Sequence, residues 1–240
     1  MNGGRTWRLL QATNDGEIGS FSSFDLINSI AVDPTNGDLY VATFEGLHRS
    51  QDGGRSFEEV LAGGRDNRVE VTISSTGVIY ATIDSEGDPN KGFFTSTDGA
   101  NWTDITPETM PETYGRTVMG IDPSNENTVY FFSQTPAGAG ELLFKYDAGA
   151  GSWTELTENL PNTIGGRAGN LNLQGGYNMV VKVHPSNSDM VFVGGTNLYR
   201  SETGFTTPTG REGWVAGYTA ASDSYALYPN QHPDQHALVF

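Results

Sequence analysis

The sequence predicts an all-β protein built from four-stranded antiparallel units, and three observations carry the prediction. The 240-residue chain is rich in turn residues, including 31 glycines. Short apolar runs alternate with these turns, and no long apolar stripe has the spacing of a helix. Four stretches of similar pattern follow one another, and periods of roughly 40 to 50 residues are typical of proteins that stack repeated units.

The repeated units share one order of elements, and they cover residues 29–61, 69–105, 117–156 and 179–218. Strand A is a short apolar run such as SIAV or VVKV. A turn with Pro and Asn or Gly follows, because Pro presets φ and Asn or Gly accepts positive φ. Strand B contains an aromatic residue, which is Tyr40, Tyr80, Tyr130 or Phe192. Strand C and a second turn lead to strand D, which begins at Phe57, Trp102, Trp153 or Trp214.

The polarity of these strands predicts where each one lies. Strand A is nearly continuously apolar, which is typical of a strand covered on both faces. Strands C and D carry more charge and should lie further out. Four-stranded antiparallel units with a buried inner strand and a polar outer strand are the blades of a β-propeller. The sequence therefore predicts a single β-propeller domain over residues 1–240.

The two ends of the sequence resemble parts of further blades. Residues 1–10 have the pattern of a last turn and strand D, and residues 236–240 have the pattern of a strand A. Together they supply two strands of a blade. Because propellers avoid open edges by closing the ring, we predict a partial ring of a larger propeller, with about six or more blades. The alternative is that both ends share one abbreviated closing blade.

One turn carries a recognisable phrase, the segment SQDGGRSF at residues 50–57. It resembles the Asp-box, or bacterial neuraminidase repeat, S-x-D-x-G-x-x-W/F, of sialidases, xyloglucanases, sortilin-like receptors and exported bacterial propellers. Copies in the second and third units are shifted by one residue, and the fourth has Glu202-Thr203-Gly204 followed by an insertion. The resemblance implies the architecture and an exported protein, and it leaves the function open. The positions that match are Ser50, Asp52, Gly54, Phe57, Ser96, Asp98, Trp102, Asp147 and Trp153.

The residue types in this phrase indicate a structural role. A short Asp side chain accepts hydrogen bonds from backbone N–H groups of the turn. Glycine permits left-handed backbone there, and the aromatic residue buries a large apolar surface. The alternative, a catalytic carboxylate, does not explain why the phrase recurs from unit to unit. His184 replaces the Asp of the first turn in its unit, which we interpret as a structural substitution.

The up-and-down strand order separates two ends of each unit. The turns A–B and C–D lie at one end, which we call the turn end. The B–C loops and D–A connections lie at the other, which we call the loop end. Function is expected at the loop end, because long loops on a rigid scaffold carry most binding and catalytic residues. The long connections are 61–68, 84–92, 106–116, 157–178 and 218–235.

Arginines are the first candidate ligands at the loop end. Arg68 and Arg116 each lie six residues before equivalent turn positions, so both should sit where a strand A begins. Two guanidinium groups that converge there could hold a carboxylate or another anion, and Arg167 could join them. A sialidase would use an arginine cluster in this way, with Tyr114 nearby. The alternative is that these arginines are rim charges paired with local acids such as Glu70.

Two segments contain oxygen or imidazole ligands at alternate positions. In HPDQH, the residues His232, Asp234 and His236 would share one face of an extended strand and could bind a divalent metal. The alternative is a polar connection. In DSEGDPN, the residues Asp84, Glu86 and Asp88 resemble a calcium loop, but Pro89 stands where an EF-hand has glycine. A solvated acidic loop is the alternative there, so no cofactor is firmly indicated.

Composition and loop residues together favour a binding protein. A net charge of −16 would repel phosphate backbones, which argues against nucleic-acid partners, and the absence of cysteine excludes disulfides. No apolar run approaches the ~20 residues of a transmembrane segment. The first hypothesis is an extracellular, cell-surface or periplasmic scaffold that binds glycan or protein through the loop end. Aromatic residues that could stack on sugars, or instead pack within the loops, are Tyr114, Tyr177, Tyr218, Tyr225 and Tyr228.

Two other functions stay open at this stage. A glycoside hydrolase, sialidase-like or xyloglucanase-like, would need two carboxyl groups at roughly 5 to 10 Å across a cleft. The candidate carboxyl groups for that pair are Glu108, Glu112, Asp223 and Asp234. The third hypothesis is a structural subunit of a larger complex, which docks through an edge or the loop end.

Overall fold

The computed structural model describes residues 5–14, 22–64, 68–85, 90–136, 140–161, 171–217 and 233–240. The chain divides into two compact units. The first unit contains two four-stranded sheets, and the second unit contains two more. In the described ranges, helical structure is limited to single 3-10 turns at Gln11–Thr13, Ser23–Asp25, Thr157–Asn159 and Arg211–Gly213.

The four sheets are formed by sixteen strands in chain order. The first sheet consists of β1 (Ile27–Val32), β2 (Leu39–Thr43), β3 (Gly46–Ser50) and β4 (Glu58–Ala62). The second consists of β5 (Glu70–Ile73), β6 (Ile79–Ile83), β7 (Gly92–Ser96) and β8 (Thr103–Asp104). The third consists of β9 (Thr117–Ile121), β10 (Thr128–Gln134), β11 (Glu141–Asp147) and β12 (Ser152–Glu155). The fourth consists of β13 (Val180–His184), β14 (Asn187–Gly194), β15 (Leu198–Ser201) and β16 (Trp214–Ala216).

Within each sheet the strands lie side by side in chain order, and every neighbouring pair is antiparallel. Each predicted unit therefore contains one sheet with strands A to D in the expected order. The prediction of an all-β protein made of four-stranded antiparallel blades is confirmed. The same order places the A–B and C–D turns of each blade at one end and the B–C loop at the other.

The core of each unit lies where its two sheets face each other. In the first unit, Tyr40, Ala42 and Leu47 of one sheet pack with Val71 and Ile79 of the other. In the second unit, side chains of the third and fourth sheets form one buried cluster. Its largest members include Phe132, Leu143, Val193, Tyr199 and Phe205. Such burial of large apolar side chains is the main favourable term in folding.

Strand A does not have the same environment in every blade. In β5, β9 and β13 most residues are buried or half-buried, as the apolar pattern predicts. The prediction is wrong for β1, where Ile30 and Val32 are each 58% exposed. Their side chains lie on the face of the first sheet that turns away from the second sheet. Both side chains are therefore more than half open to solvent in the described part of the chain.

Strand C lies outside strands A and B in the strand order, as predicted, but its charged residues do not make it exposed. All five residues of β3 are buried, and β15 has three buried residues out of four. Charge is accommodated inside because it is paired. Arg49 donates from Nε to Asp38 Oδ2 at 2.8 Å and from Nη2 to the same oxygen at 2.5 Å. Strand D is the outer strand, since both residues of β8 are exposed.

The outer face of the fourth sheet is partly covered by the segment 233–240. Leu238 packs against the cluster of Val180, Phe192 and Leu198. The ring of Phe240 lies 5.5 Å from that of Phe192. Residues 236–240 have no strand assignment, and that they form strand A of a further blade stays a prediction.

Candidate functional site

The C–D turn of the first blade is closed by the side chains of Ser50 and Asp52. Asp52 Oδ1 accepts hydrogen bonds from the backbone N–H groups of Arg55 at 2.8 Å and Ser56 at 2.9 Å. Ser50 Oγ accepts from the N–H of Gly54 at 2.8 Å and donates to Asp52 Oδ1 at 2.9 Å. These bonds satisfy turn amides that have no strand partner, so the two side chains have a structural role.

The second blade repeats this arrangement with shifted spacing. Asp98 Oδ1 accepts from the N–H groups of Ala100 at 2.9 Å and Asn101 at 2.8 Å. Ser96 Oγ accepts from the N–H of Gly99 at 2.8 Å. The turn is one residue shorter, and the carboxylate still reaches two amides because both belong to the next few residues of the chain.

The third and fourth blades retain parts of this turn. Asp147 Oδ1 accepts from the N–H of Gly149 at 2.9 Å and of Ala150 at 3.0 Å. The ring of Trp153 lies 4.6 Å from that of Tyr146 across the hairpin, which is the packing that the sequence suggests. In the fourth blade Ser201 Oγ accepts from the N–H of Phe205 at 2.9 Å, but Thr203 stands in the place of the aspartate.

The A–B turns use the same chemistry at a different position. Asp122 Oδ1 accepts from the N–H of Ser124 at 2.9 Å and from its hydroxyl at 2.8 Å. His184 Nδ1 lies 3.3 Å from both the N–H nitrogen and the hydroxyl oxygen of Ser186. The imidazole nitrogen thus takes the position of the carboxylate oxygen, as the interpretation of His184 as a structural substitution requires.

Hydrogen bonds to the turn carboxylates make stability depend on pH. Bonds from the side chain and N–H of Ser56 hold the pKa of Asp52 well below its usual range. A lowered folded-state pKa contributes stability that is present above the unfolded value of ~3.9 and is lost as pH falls further. We expect Asp52→Asn to lower the midpoint of thermal unfolding at pH 7. The difference from wild type should shrink steadily as pH falls from about 4 to about 2. Thermal melts across this range check it, and a constant difference would contradict the electrostatic explanation.

At the loop end of the second unit, Arg116 holds the connection that leads into the fourth blade. It lies next to the start of β9, and its Nη1 donates to the carbonyl oxygens of Gly176 at 3.0 Å and Tyr177 at 3.3 Å. At least part of the hydrogen-bond donor capacity of this guanidinium is therefore used to hold the backbone of residues 176 and 177. The sequence predicted that Arg116 lies where a strand A begins, and its position next to β9 agrees with that prediction.

Residues 177 and 178 of this connection contact the segment around Asp234. The side-chain amide of Asn178 donates from Nδ2 to Asp234 Oδ1 at 3.0 Å. The ring of Tyr177 lies 4.7 Å from the imidazole of His236, edge to face at 80°. The N–H of Gln235 donates to the carbonyl of Gly195 in the B–C loop at 3.0 Å. Three of the predicted candidates, Arg116, Asp234 and His236, thus converge on residues 176–178.

We call the solvent-facing part of this cluster the Tyr177 surface, defined by Tyr177, Asp234 and His236. Tyr177 is 62% exposed, and His236 is exposed as well. Asn178 lies beneath it and is fully buried. Its Oδ1 atom is also buried, with no hydrogen-bond partner among the described residues.

Other predicted residues have different surroundings. Tyr114 is 3% exposed, and its backbone exchanges hydrogen bonds with Ser85, so its ring is not available at the surface. Arg68 is half-buried two residues before β5 in the first unit. Whether Arg68 and Arg116 share a ligand stays a prediction. The candidates Arg167, Tyr218, Tyr225 and Tyr228 lie outside the described residues.

Metal binding receives no support from the described ranges, where no three His, Asp or Glu side chains are grouped so as to hold an ion. Asp84 is buried, with 1% of its surface exposed. The other proposed ligands, Glu86, Asp88 and His232, lie outside the described residues.

Two residues at the loop end were missed by sequence reasoning. Asn178 lies six residues before His184, just as Arg116 lies six residues before Asp122, and this equivalence was a signal that could have identified it. Glu141 begins β11 and pairs in register with Gln134 at the loop end of the third blade. Burial raises the pKa of the Glu141 carboxyl group, although nothing in the local sequence indicates burial.

Comparison with known proteins supports the architecture. No protein-family model matches the chain, and no curated protein matches it either. Among solved structures, a GH74 enzyme of Niastella koreensis aligns at 22% identity with a TM-score of 0.62, over 89% of this chain and 33% of that chain. The GH74 xyloglucanase of Xanthomonas campestris aligns at 16% identity with a TM-score of 0.55, over 76% of this chain and 29% of that chain.

A third similar structure is the extracellular domain of a one-component system protein of B. thetaiotaomicron. It aligns at 10% identity with a TM-score of 0.50, over 75% of this chain and 21% of that chain. Likeness at these identities shows the fold alone. The chain spans about a third of the length of the Niastella enzyme. Together with the four antiparallel sheets, these likenesses identify the chain as an all-β protein made of β-propeller blades.

Proposed function

We propose that this chain is part of an exported or cell-surface propeller scaffold that binds glycan through the Tyr177 surface. The observation that carries the proposal is the convergence of an exposed tyrosine, a carboxylate and an imidazole at the loop end of one unit. An exposed aromatic ring provides an amphipathic platform for a sugar ring. Carboxylate and imidazole groups accept or donate hydrogen bonds to sugar hydroxyls.

The residues beneath the surface support this proposal because they hold it in one geometry. Arg116 fixes the carbonyls of Gly176 and Tyr177, and Asn178 fixes the Asp234 carboxylate. A surface that is ordered before the ligand arrives loses less entropy on binding. Asn178 is fully buried and Arg116 is half-buried, so both supports are themselves held by the fold.

An exported location is part of the proposal. The chain is acidic and has no cysteine. In the part that the structure describes, no helix has the length and apolar character needed to cross a membrane. The similar structures include an extracellular domain, and the chain covers only a third or less of each one reported above. Additional blades or domains of the same polypeptide are part of the proposal.

A glycan array followed by calorimetric titration of the best ligand tests this function on the full-length gene product. We expect Tyr177→Ala to weaken binding by roughly tenfold or more, because it removes the stacking ring. Tyr177→Phe keeps the ring and should retain most of the affinity. Thr97→Ala is the control, since Thr97 is exposed and lies at the turn end of a blade in the other unit.

Two outcomes would contradict the scaffold proposal. If Tyr177→Ala and Thr97→Ala bind equally well, the Tyr177 surface does not carry recognition. If the array ligands are hydrolysed, the protein is a glycoside hydrolase instead. Glu141 favours this second candidate, since a half-buried carboxyl group at the loop end, whose pKa is raised by desolvation, suits a general acid. Loss of turnover in Glu141→Gln, with binding retained, would then support the enzyme.

A further inference from the structure

The C–D turn of the fourth blade departs from the other turns of the chain. Twelve residues, 202–213, separate β15 from β16, whereas seven residues, 51–57, separate β3 from β4. The aspartate that closes the first two turns is replaced by Thr203. A repeat protein places function where one repeat carries an insertion that the others lack. This turn is therefore a candidate for a ligand site, although it lies at the turn end of the blade.

The longer turn encloses a cleft of about 290 Å³. This volume is at the lower limit of small-molecule sites, which begin at ~300 Å³, and it suits a ligand of one sugar ring. Its walls are held by the fold: the N–H of Thr209 donates to the carbonyl of Asn159 at 2.9 Å. The N–H of Gly210 donates to Glu212 Oε1 at 2.8 Å. The residues that supply its chemistry are Arg200, Glu202, Thr203, Thr207, Pro208 and Glu212.

The lining presents both donors and acceptors of hydrogen bonds. Arg200 Nη2 pairs with Glu202 Oε1 at 2.8 Å, and their side chains are 41% and 65% exposed. Arg200 Nε is buried and has no acceptor among the described residues. The hydroxyl oxygens of Thr203 and Thr207 lie 2.9 Å apart. The Arg200–Glu202 pair and the two threonine hydroxyl groups can exchange their present partners for ligand hydroxyl groups.

The charges of the lining discriminate between classes of ligand. Two carboxylates, Glu202 and Glu212, would repel a phosphate or another anion. The guanidinium of Arg200 opposes a metal ion, and a lining dominated by hydroxyl and charged groups offers little to an apolar ligand. A neutral molecule with several hydroxyl groups matches all of these features, because a hydroxyl both donates to a carboxylate and accepts from a guanidinium. The exposed ring of Pro208 adds an apolar patch that can contact the C–H groups of such a ligand.

We propose that the cleft between Arg200 and Glu212 is a second ligand site, which binds a neutral sugar unit or similar polyol at the turn end of the fourth blade. The site is independent of the Tyr177 surface, since it lies at the opposite end of the same sheet. A scaffold with two such sites could engage two units or two branches of a glycan. The cleft would keep its ligand class even if the Tyr177 surface bound a protein instead.

The test is a titration of the isotopically labelled protein with D-glucose, D-xylose and D-galactose, followed by amide chemical shifts. We expect the amides of residues 203–212 to shift in a saturable manner with at least one sugar. Glu202→Gln and Thr207→Val should each weaken that binding severalfold to about tenfold, because each removes one polar contact. Thr97→Val is the control, since Thr97 is an exposed threonine in the C–D turn of the second blade.

The outcomes separate this proposal from the function proposed above. Saturable shifts at 203–212 that are unchanged in Tyr177→Ala support an independent site. Shifts confined to residues 174–178 and 234–236 would overturn the cleft while leaving the Tyr177 surface intact. Saturation by sulfate or by methylammonium, with no response to the three sugars, would also overturn it. So would sugar binding that neither Glu202→Gln nor Thr207→Val alters.

Discussion

Replacing Gly99 with alanine is expected to lower the free energy of unfolding of the first unit by about 3 kcal/mol or more. Gly99 has φ of +70°, a conformation that alanine adopts only with strain. A Cβ atom at this position would lie 1.9 Å from Tyr40 Oη and 2.9 Å from Tyr40 Cζ. The ring of Tyr40 is fully buried between two sheets, so it cannot move aside without disturbing the core.

Gly53 offers a control with almost the same backbone conformation. Its φ is +73°, and a Cβ atom there would meet no atom within 4 Å. Gly53→Ala should therefore cost only the backbone strain, about 1 kcal/mol. Amide hydrogen exchange of β2 and β7, or urea unfolding of the two variants, measures the difference. Equal losses in both variants would show that the contact with Tyr40 contributes nothing.

Tyr40→Phe separates the hydroxyl group from the ring. Burial raises the pKa of Tyr40 to about 12, and its hydroxyl has no hydrogen-bond partner among the described residues. Removing a buried hydroxyl without a partner should leave stability unchanged or slightly improved. In the double variant Tyr40→Phe/Gly99→Ala the worst overlap disappears. The double variant should be more stable than Gly99→Ala, and this coupling is a measure of the contact.

The contact of Tyr40 with Gly99 shows what sequence reasoning could and could not reach. The aromatic residue of strand B and the glycine of the C–D turn were both recognised, because each belongs to a pattern within one repeat. Their contact joins neighbouring blades and follows no local rule. It recurs in the second unit, where a Cβ atom on Gly204 would lie 2.7 Å from Tyr130 Oη.

The fold could be predicted from short-range sequence patterns, whereas the candidate sites lie where the chain departs from those patterns. Strand order and turn positions were predictable because apolar runs and turn residues act over a few residues. The exposure of Ile30 could not be predicted in this way, since it depends on whether a neighbouring sheet covers β1. Arg116, Asp234 and His236 were singled out by residue type, but their convergence on Tyr177 depends on a connection of irregular conformation. The cleft at Arg200 was overlooked because the turn end was expected to be regular.

The ion pair of Asp38 and Arg49 is the second place where a large effect is expected. Both side chains are almost fully buried, with 8% and 9% of their surfaces exposed. Asp38→Ala leaves the guanidinium buried without its carboxylate, and breaking a buried pair in this way costs about 3–5 kcal/mol. The loss should appear in urea unfolding of the variant and in faster amide exchange of β3.

The cost of Asp38→Ala comes mostly from the charge that is left behind, so removing both charges should recover much of it. We expect Asp38→Leu/Arg49→Met to be more stable than Asp38→Ala, because well-packed apolar residues replace buried pairs with little loss. The exposed pair of Arg200 and Glu202 provides the comparison, since Glu202→Ala should change stability by less than about 1 kcal/mol. A loss in Asp38→Ala no larger than in Glu202→Ala would mean that water reaches Arg49. The buried strand C of the first blade would then tolerate charge through solvation rather than pairing.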